Sequence, residues 1–145
     1  MPESKSIKQK VVVYCVKDDK LLVFRHSDFS YEEVGIQVPA GSIKEGELPA
    51  DAALRELQEE TGKECFEIVK FLGTGAYDMT PTYRGIKERH FFLARPTGEL
   101  PERWESEEKH DGNQAPTHFK CFWIPLTRGH ILESGMGAML YKIFE

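Results

Sequence analysis

Residues 41–63 read GSIKEGELPADAALRELQEETGK. The stretch opens as a loop punctuated by Gly41, Gly46 and Pro49. Proline suits the first turn of a helix and glycine the position just past its end, so Pro49 and Gly62 bracket a predicted helix. The residues between them, ADAALRELQEET, are mostly strong helix formers. At about 100° per residue, Ala50, Ala53, Leu54 and Leu57 share one face, and Glu56, Glu59 and Glu60 share another arc. Arg55 stands beside Glu59 one turn on. Like charges at this spacing cost a helix a few tenths of a kcal/mol each, and no lysine interleaves them. A solvated helix face would tolerate the cluster without explaining it. A hard cation among the carboxylates would explain it, because Mg²⁺ takes oxygen ligands and is held by a few carboxylates together with substrate phosphates.

The flanking sequence predicts a sheet around this helix. Residues 11–17 are β-branched and aromatic, Asp18-Asp19-Lys20 turns the chain, and LLVFR follows, which reads as a hairpin. Residues 36–39 read as a short strand closed by Pro39, and 66–72, 86–94 and 118–124 as further strands. The tail 131–144 is apolar at helical spacing, interrupted by Gly135 and Gly137, and predicts a terminal helix. Residues 96–116 read as a long polar loop, and 1–8 as a flexible tail. The expected architecture is a single α/β domain (α+β) over 1–145, a mixed sheet packed between the central helix and a C-terminal helix.

Composition bounds the function. The chain has 145 residues, 40% hydrophobic and 30% charged, with a formal net charge of -5. That balance argues against nucleic acid or a membrane surface as partner, where a basic face is expected. It leaves room for an anionic ligand, because a bound divalent cation inverts the local field. Cys15, Cys65 and Cys121 are far apart and odd in number, so neither a disulfide framework nor a zinc site is expected. No apolar run approaches the roughly 20 residues that span a bilayer, and MPESKSIKQK lacks the apolar stretch of a signal peptide. A reducing cytoplasm is the expected location.

Residues 41–63 resemble the Nudix box, in which a glycine, a glutamate, an Arg-Glu pair, an aliphatic residue, a Glu-Glu pair and a final glycine recur at fixed spacing. Gly41, Glu47, Arg55, Glu56, Leu57, Glu59, Glu60 and Gly62 fall in register. The one departure is Lys63, where the pattern ends on an aliphatic residue. The resemblance implies a Nudix-type sandwich and hydrolysis of a nucleoside diphosphate linked to another group X, dependent on Mg²⁺ or Mn²⁺. It implies Glu56, Glu59 and Glu60 as metal ligands, aided by the backbone carbonyl of Ala40. Glu47 becomes an outer ligand or an orienting residue, Arg55 a residue that holds a neighbouring carboxylate, and Gly41 a turn in the loop.

The general base is expected from the box or from a later loop. Glu102, Glu105, Glu107 and Glu108 are the candidates there, with Glu105 and Glu107 preferred. Arg25 and Arg89 are candidate phosphate contacts by residue type. Phe29, Tyr31, Tyr83 and Trp104 are candidates to stack on a base. The proline and tyrosine markers that some subfamilies carry downstream of the box are out of register here, so the substrate stays a small-molecule nucleotide of open identity. Relatives that only sense a nucleotide form the alternative class, and a homodimer is possible.

Overall fold

The computed structural model describes residues 6–27, 35–81, 84–109, 112, 115–132 and 136–144. Seven strands form one mixed sheet: β1 (Ser6–Lys17), β2 (Lys20–His26), β3 (Ala40–Ser42), β4 (Phe66–Asp78), β5 (Gly85–Pro96), β6 (Arg103–Glu108) and β7 (Thr117–Pro125). The spatial order is β4-β5-β1-β2-β7-β6, with β3 also paired to β1. β1 and β5 run parallel and every other pair is antiparallel. Among the described residues one α-helix, α1 (Pro49–Thr61), follows β3.

The hairpin forms where the sequence predicts it. Asp18 and Asp19 take positive φ of 52° and 61°. Two such residues make the primed turn whose twist matches the strands, and aspartate tolerates it. Beyond the turn the two strands part. β1 pairs β2 only at Val16↔Leu21 and Lys17↔Lys20. In the opening fork β3 pairs β1 (Val12↔Ala40) and Gln37 bridges Phe24. That fork brings the start of residues 41–63 to the middle of the sheet.

Strand alternation gives the sheet two apolar faces. Val11, Val13, Cys15, Leu22, Phe24 and Cys121 pack under Ala52, Ala53 and Leu57 of α1. Val12, Tyr14, Leu21, Val23 and Phe91 pack on the other side with Met136 and Leu140. The helix termini are as expected: Pro49 lies in the first turn, and Gly62 adopts φ 69° and donates to the Gln58 carbonyl at 2.9 Å.

Several boundaries differ from the sequence reading. Of the expected tail, 1–8, residues 6–8 are the start of β1, which pairs with β5 from Ser6↔Gly85 onward, and residues 1–5 lie outside the described residues; exposed, mostly polar residues there leave no apolar signal. The expected 36–39 strand makes only isolated bridges, and regular pairing begins at Ala40. The expected 96–116 loop contains β6, a polar edge strand on β7. In place of the expected C-terminal helix, the described residues form 3₁₀ turns at Leu126–Ile131 and Leu140–Phe144. Gly129 allows their close approach, since a Cβ there would stand 2.2 Å from a methyl of Leu140. Ala50 is exposed, and Ala52 takes its expected place in the core.

Candidate active site

Arg55 organises the acidic helix. Its Nε and Nη2 each donate at 2.9 Å to the two oxygens of Glu47, its Nη1 donates to Glu56 at 2.8 Å and Glu59 at 3.3 Å, and Nη2 also reaches the Ser42 carbonyl at 2.9 Å. This fork ties the loop to three carboxylates, a geometry lysine cannot reproduce. The Arg55 hydrogen bonds, aided by the Lys44 backbone N–H, hold the Glu47 carboxyl down to about 2. Both Glu47 oxygens accept from Arg55.

Glu56 and Glu60 are buried, which no solvated helix face would require. Burial raises both carboxyls; Arg55 opposes the shift at Glu56, and the neighbouring Glu56 charge adds to it at Glu60. The Ala40 backbone N–H donates to Glu60 at 3.0 Å, so Ala40 positions a carboxylate through its N–H. Gly41 serves close approach and not a turn. A Cβ there would lie 2.1–2.4 Å from the Glu56 carboxyl group, and its φ is not positive.

β6 completes the cluster. Trp104 Nε1 donates to the Thr61 carbonyl at 2.7 Å, and the Ser106 hydroxyl donates to the Glu60 carbonyl, so β6 satisfies orphan carbonyls at the end of α1. Trp104 is thereby a structural anchor. The Lys63 ammonium lies 5.8 Å from its ring centre, so the departure from the box pattern is absorbed by a cation–π contact. Trp104, Ser106 and Glu108 alternate toward α1, and Glu108 brings a carboxylate oxygen into a group with Glu56 and Glu59 whose ligand atoms all lie within 4.8 Å of one another. Glu105 and Glu107 fall on the opposite parity. Glu105 lines a groove of about 800 Å³ along β2, β7 and β6, and Glu107 lies 3.8 Å from His118.

Beside the carboxylates lies a cleft of about 220 Å³, lined by Glu60, Gly41, Lys10, Lys87, Arg89 and Met136 among others. Arg89 is buried, with the Tyr77 ring 4.8 Å from its guanidinium carbon. The structure thus brings Arg89 to the acidic site. Arg25 lines the larger groove with Lys120 and Arg103, away from the cleft. Lys10 and Lys87 were not singled out from the sequence. Phe29, Tyr31 and Tyr83 lie outside the described residues.

A mixed sheet carrying one box helix, with its carboxylates gathered against a basic cleft, defines the class. The chain belongs to the Nudix family: the family model described as "NUDIX domain" matches residues 7–135. It is 30% identical over 116 residues to the ADP-ribose pyrophosphatase of Bacillus subtilis (strain 168), covering 74% of this chain and 60% of that one. It is 31% identical over 97 residues to the RNA pyrophosphohydrolase of Brucella abortus (strain 2308), covering 62% and 54%. The chain therefore spans 54–60% of the length of these two curated relatives. Among solved structures, the MutT protein from Methanosarcina mazei Go1 superposes with a TM-score of 0.70 at 15% identity, covering 99% of this chain and 96% of that one. At that identity the likeness shows the fold alone.

Proposed function

We propose that this chain hydrolyses a phosphoanhydride bond in a nucleoside diphosphate linked to another group X, with Mg²⁺ or Mn²⁺ as cofactor. The observation that carries the reading is the gathering of Glu56, Glu59 and Glu108 from two elements within 4.8 Å, beside buried Glu60. The family and the pyrophosphatase and pyrophosphohydrolase relatives support it.

The donor set fits the cofactor. It is all carboxylate oxygen, which suits a hard divalent cation and not zinc. The Arg55 guanidinium already pairs with Glu56 and Glu59 on one side, and a divalent cation would offset the repulsion that Glu60 and Glu108 add to the group. Glu56, Glu59 and Glu60 would hold the ion, with Arg55 and Glu47 fixing their rotamers. When bound, the ion supplies charge neutralisation and an acidified water.

The other steps fall to the chain's own groups. Lys10, Lys87 and Arg89 place the phosphates in the cleft. Glu108 accepts the proton of the attacking water as the new P–O bond forms. The anhydride P–O bond breaks, giving a nucleoside monophosphate and phosphorylated X. The substrate is a small-molecule nucleotide, whose phosphates the basic cleft would take.

The test is hydrolysis of a panel of nucleoside diphosphate derivatives by wild type and Glu59→Gln, with and without Mg²⁺ or Mn²⁺. Metal-dependent turnover that falls at least about 100-fold in the variant is expected. Turnover that survives metal removal, or nucleotide binding without any turnover, would contradict the reading.

A further inference from the structure

Tyr14 is fully buried in β1, and the hydrolytic steps do not use it. Its hydroxyl donates to the Met136 carbonyl and accepts from the Met139 N–H at 3.2 Å. Burial raises its pKa, so at neutral pH it stays protonated and remains a donor. Both partners lie in one turn, residues 136–139, which sits 122 and 125 positions further along the chain at those two contacts. The same turn is seated on glycines. Met139 lies along β4 where Gly73 and Gly75 carry no side chain: a Cβ at Gly73 would stand 3.5 Å from its sulfur, and one at Gly75 3.8 Å from its methyl. Leu140, just beyond, occupies the space that side chains at Gly129 and Gly137 would take.

A buried hydroxyl costs stability unless it is hydrogen-bonded, and a phenylalanine would pack the same ring against Phe91 without that requirement. The plain reading is a core tyrosine whose satisfied hydroxyl serves stability alone. The place of the turn argues for more. Met136 brings it into the cleft beside Glu60 and Gly41. There Met136, Val12 and Val38, members of one core cluster, supply apolar lining, and Lys10, Lys87 and Arg89 supply cations. Phosphates answer the cations. Only the organic part of a nucleotide has apolar surface to set against Met136.

We propose that Tyr14 is a positioning residue: its hydroxyl fixes the 136–139 turn so that Met136 forms a wall of the cleft, and that wall sets affinity for the organic part of the substrate and not for its phosphates. The inference rests on the hydrolytic reading for its substrate and adds how the cleft tells a nucleotide from a bare phosphate chain. Tyr14 reaches the ligand only through Met136. Its loss therefore acts on KM and leaves kcat to the carboxylates.

The experiment uses the full chain, Tyr14→Phe, Met136→Ala and the double variant. Met136→Ala tests the wall with the tyrosine clamp intact. Binding of adenosine diphosphate and of inorganic pyrophosphate is measured by calorimetry without divalent metal. kcat and KM are measured with Mg²⁺ on the panel member that turns over fastest. Expected is adenosine diphosphate binding weakened about tenfold in each single variant, with pyrophosphate binding unchanged. The double variant should bind as Met136→Ala does, because the two residues act through one contact. KM should rise about tenfold in Tyr14→Phe, with kcat within about twofold of wild type. The Met139 amide, released from the hydroxyl, should exchange faster in Tyr14→Phe. A lowered melting temperature with adenosine diphosphate affinity intact would overturn the inference and leave a purely structural tyrosine. Equal weakening of both ligands, or no adenosine diphosphate binding by wild type, would also overturn it. Absent hydrolysis across the panel, with adenosine diphosphate binding selectively weakened in the variants, would instead overturn the hydrolytic reading and leave the clamp standing.

Discussion

A Cβ at position 41 would stand 2.1 Å from the Glu56 carboxyl carbon, so Gly41→Ala must displace either the loop or the carboxylate. The expected outcome in steady-state kinetics is a fall of about 100-fold in kcat/KM, the size of effect that a small misplacement of a reacting group produces. Gly46 is the contrasting case. It has φ +77° and nothing within 4 Å of an added Cβ. Gly46→Ala should cost roughly 1 kcal/mol of backbone strain, read by denaturant titration, and leave turnover at wild-type level. Arg55→Lys keeps the charge but loses the fork that ties Glu47, Glu56, Glu59 and the Ser42 carbonyl together. Metal affinity and activity should then fall about 10- to 100-fold. A variant indistinguishable from wild type would reduce Arg55 to an ordinary surface ion pair.

The strand β6 tests the alternation argument at the scale of an element. Glu108→Gln should lower kcat by about 100-fold or more, whereas Glu105→Gln and Glu107→Gln, on the other parity, should leave it unchanged. Equal effects at all three positions would show that the strand register is wrong. The same strand shows where sequence reading reaches its limit. The box helix was legible because its caps, apolar face and clustered acids all lie within 23 consecutive residues. The hairpin was legible because Asp18 and Asp19 separate two apolar runs. β6 was not, because an edge strand that is exposed on one face and only half-buries Trp104, Ser106 and Glu108 on the other offers no apolar alternation. Choosing Glu108 over its neighbours required knowing that Trp104 and Ser106 cap α1. The C-terminal turns kept the apolar content expected of a helix, but 3₁₀ segments met across Gly129 cover that face of the sheet.

Across the whole molecule, the sheet face under α1 buries Cys15 and Cys121, and Cys65 is partly exposed. Burial pushes the Cys15 thiol up to about 12 and the Cys121 thiol to about 11. At pH 8 both stay protonated and shielded, so a thiol reagent should titrate one cysteine in the native protein and three after denaturation. Among the described residues no helix is long and apolar enough to cross a membrane. The fork between β1 and β2 joins the sheet to the acidic helix. It delivers Ala40 and Gly41 to the middle of the sheet, where they seat Glu60 and Glu56 against a basic cleft. The most direct test of that account is a calorimetric titration of Mn²⁺ into wild type and Glu56→Gln. Saturable binding to wild type is expected, weakened about tenfold or more in the variant. Equal binding by the two proteins, or none by either, would contradict it.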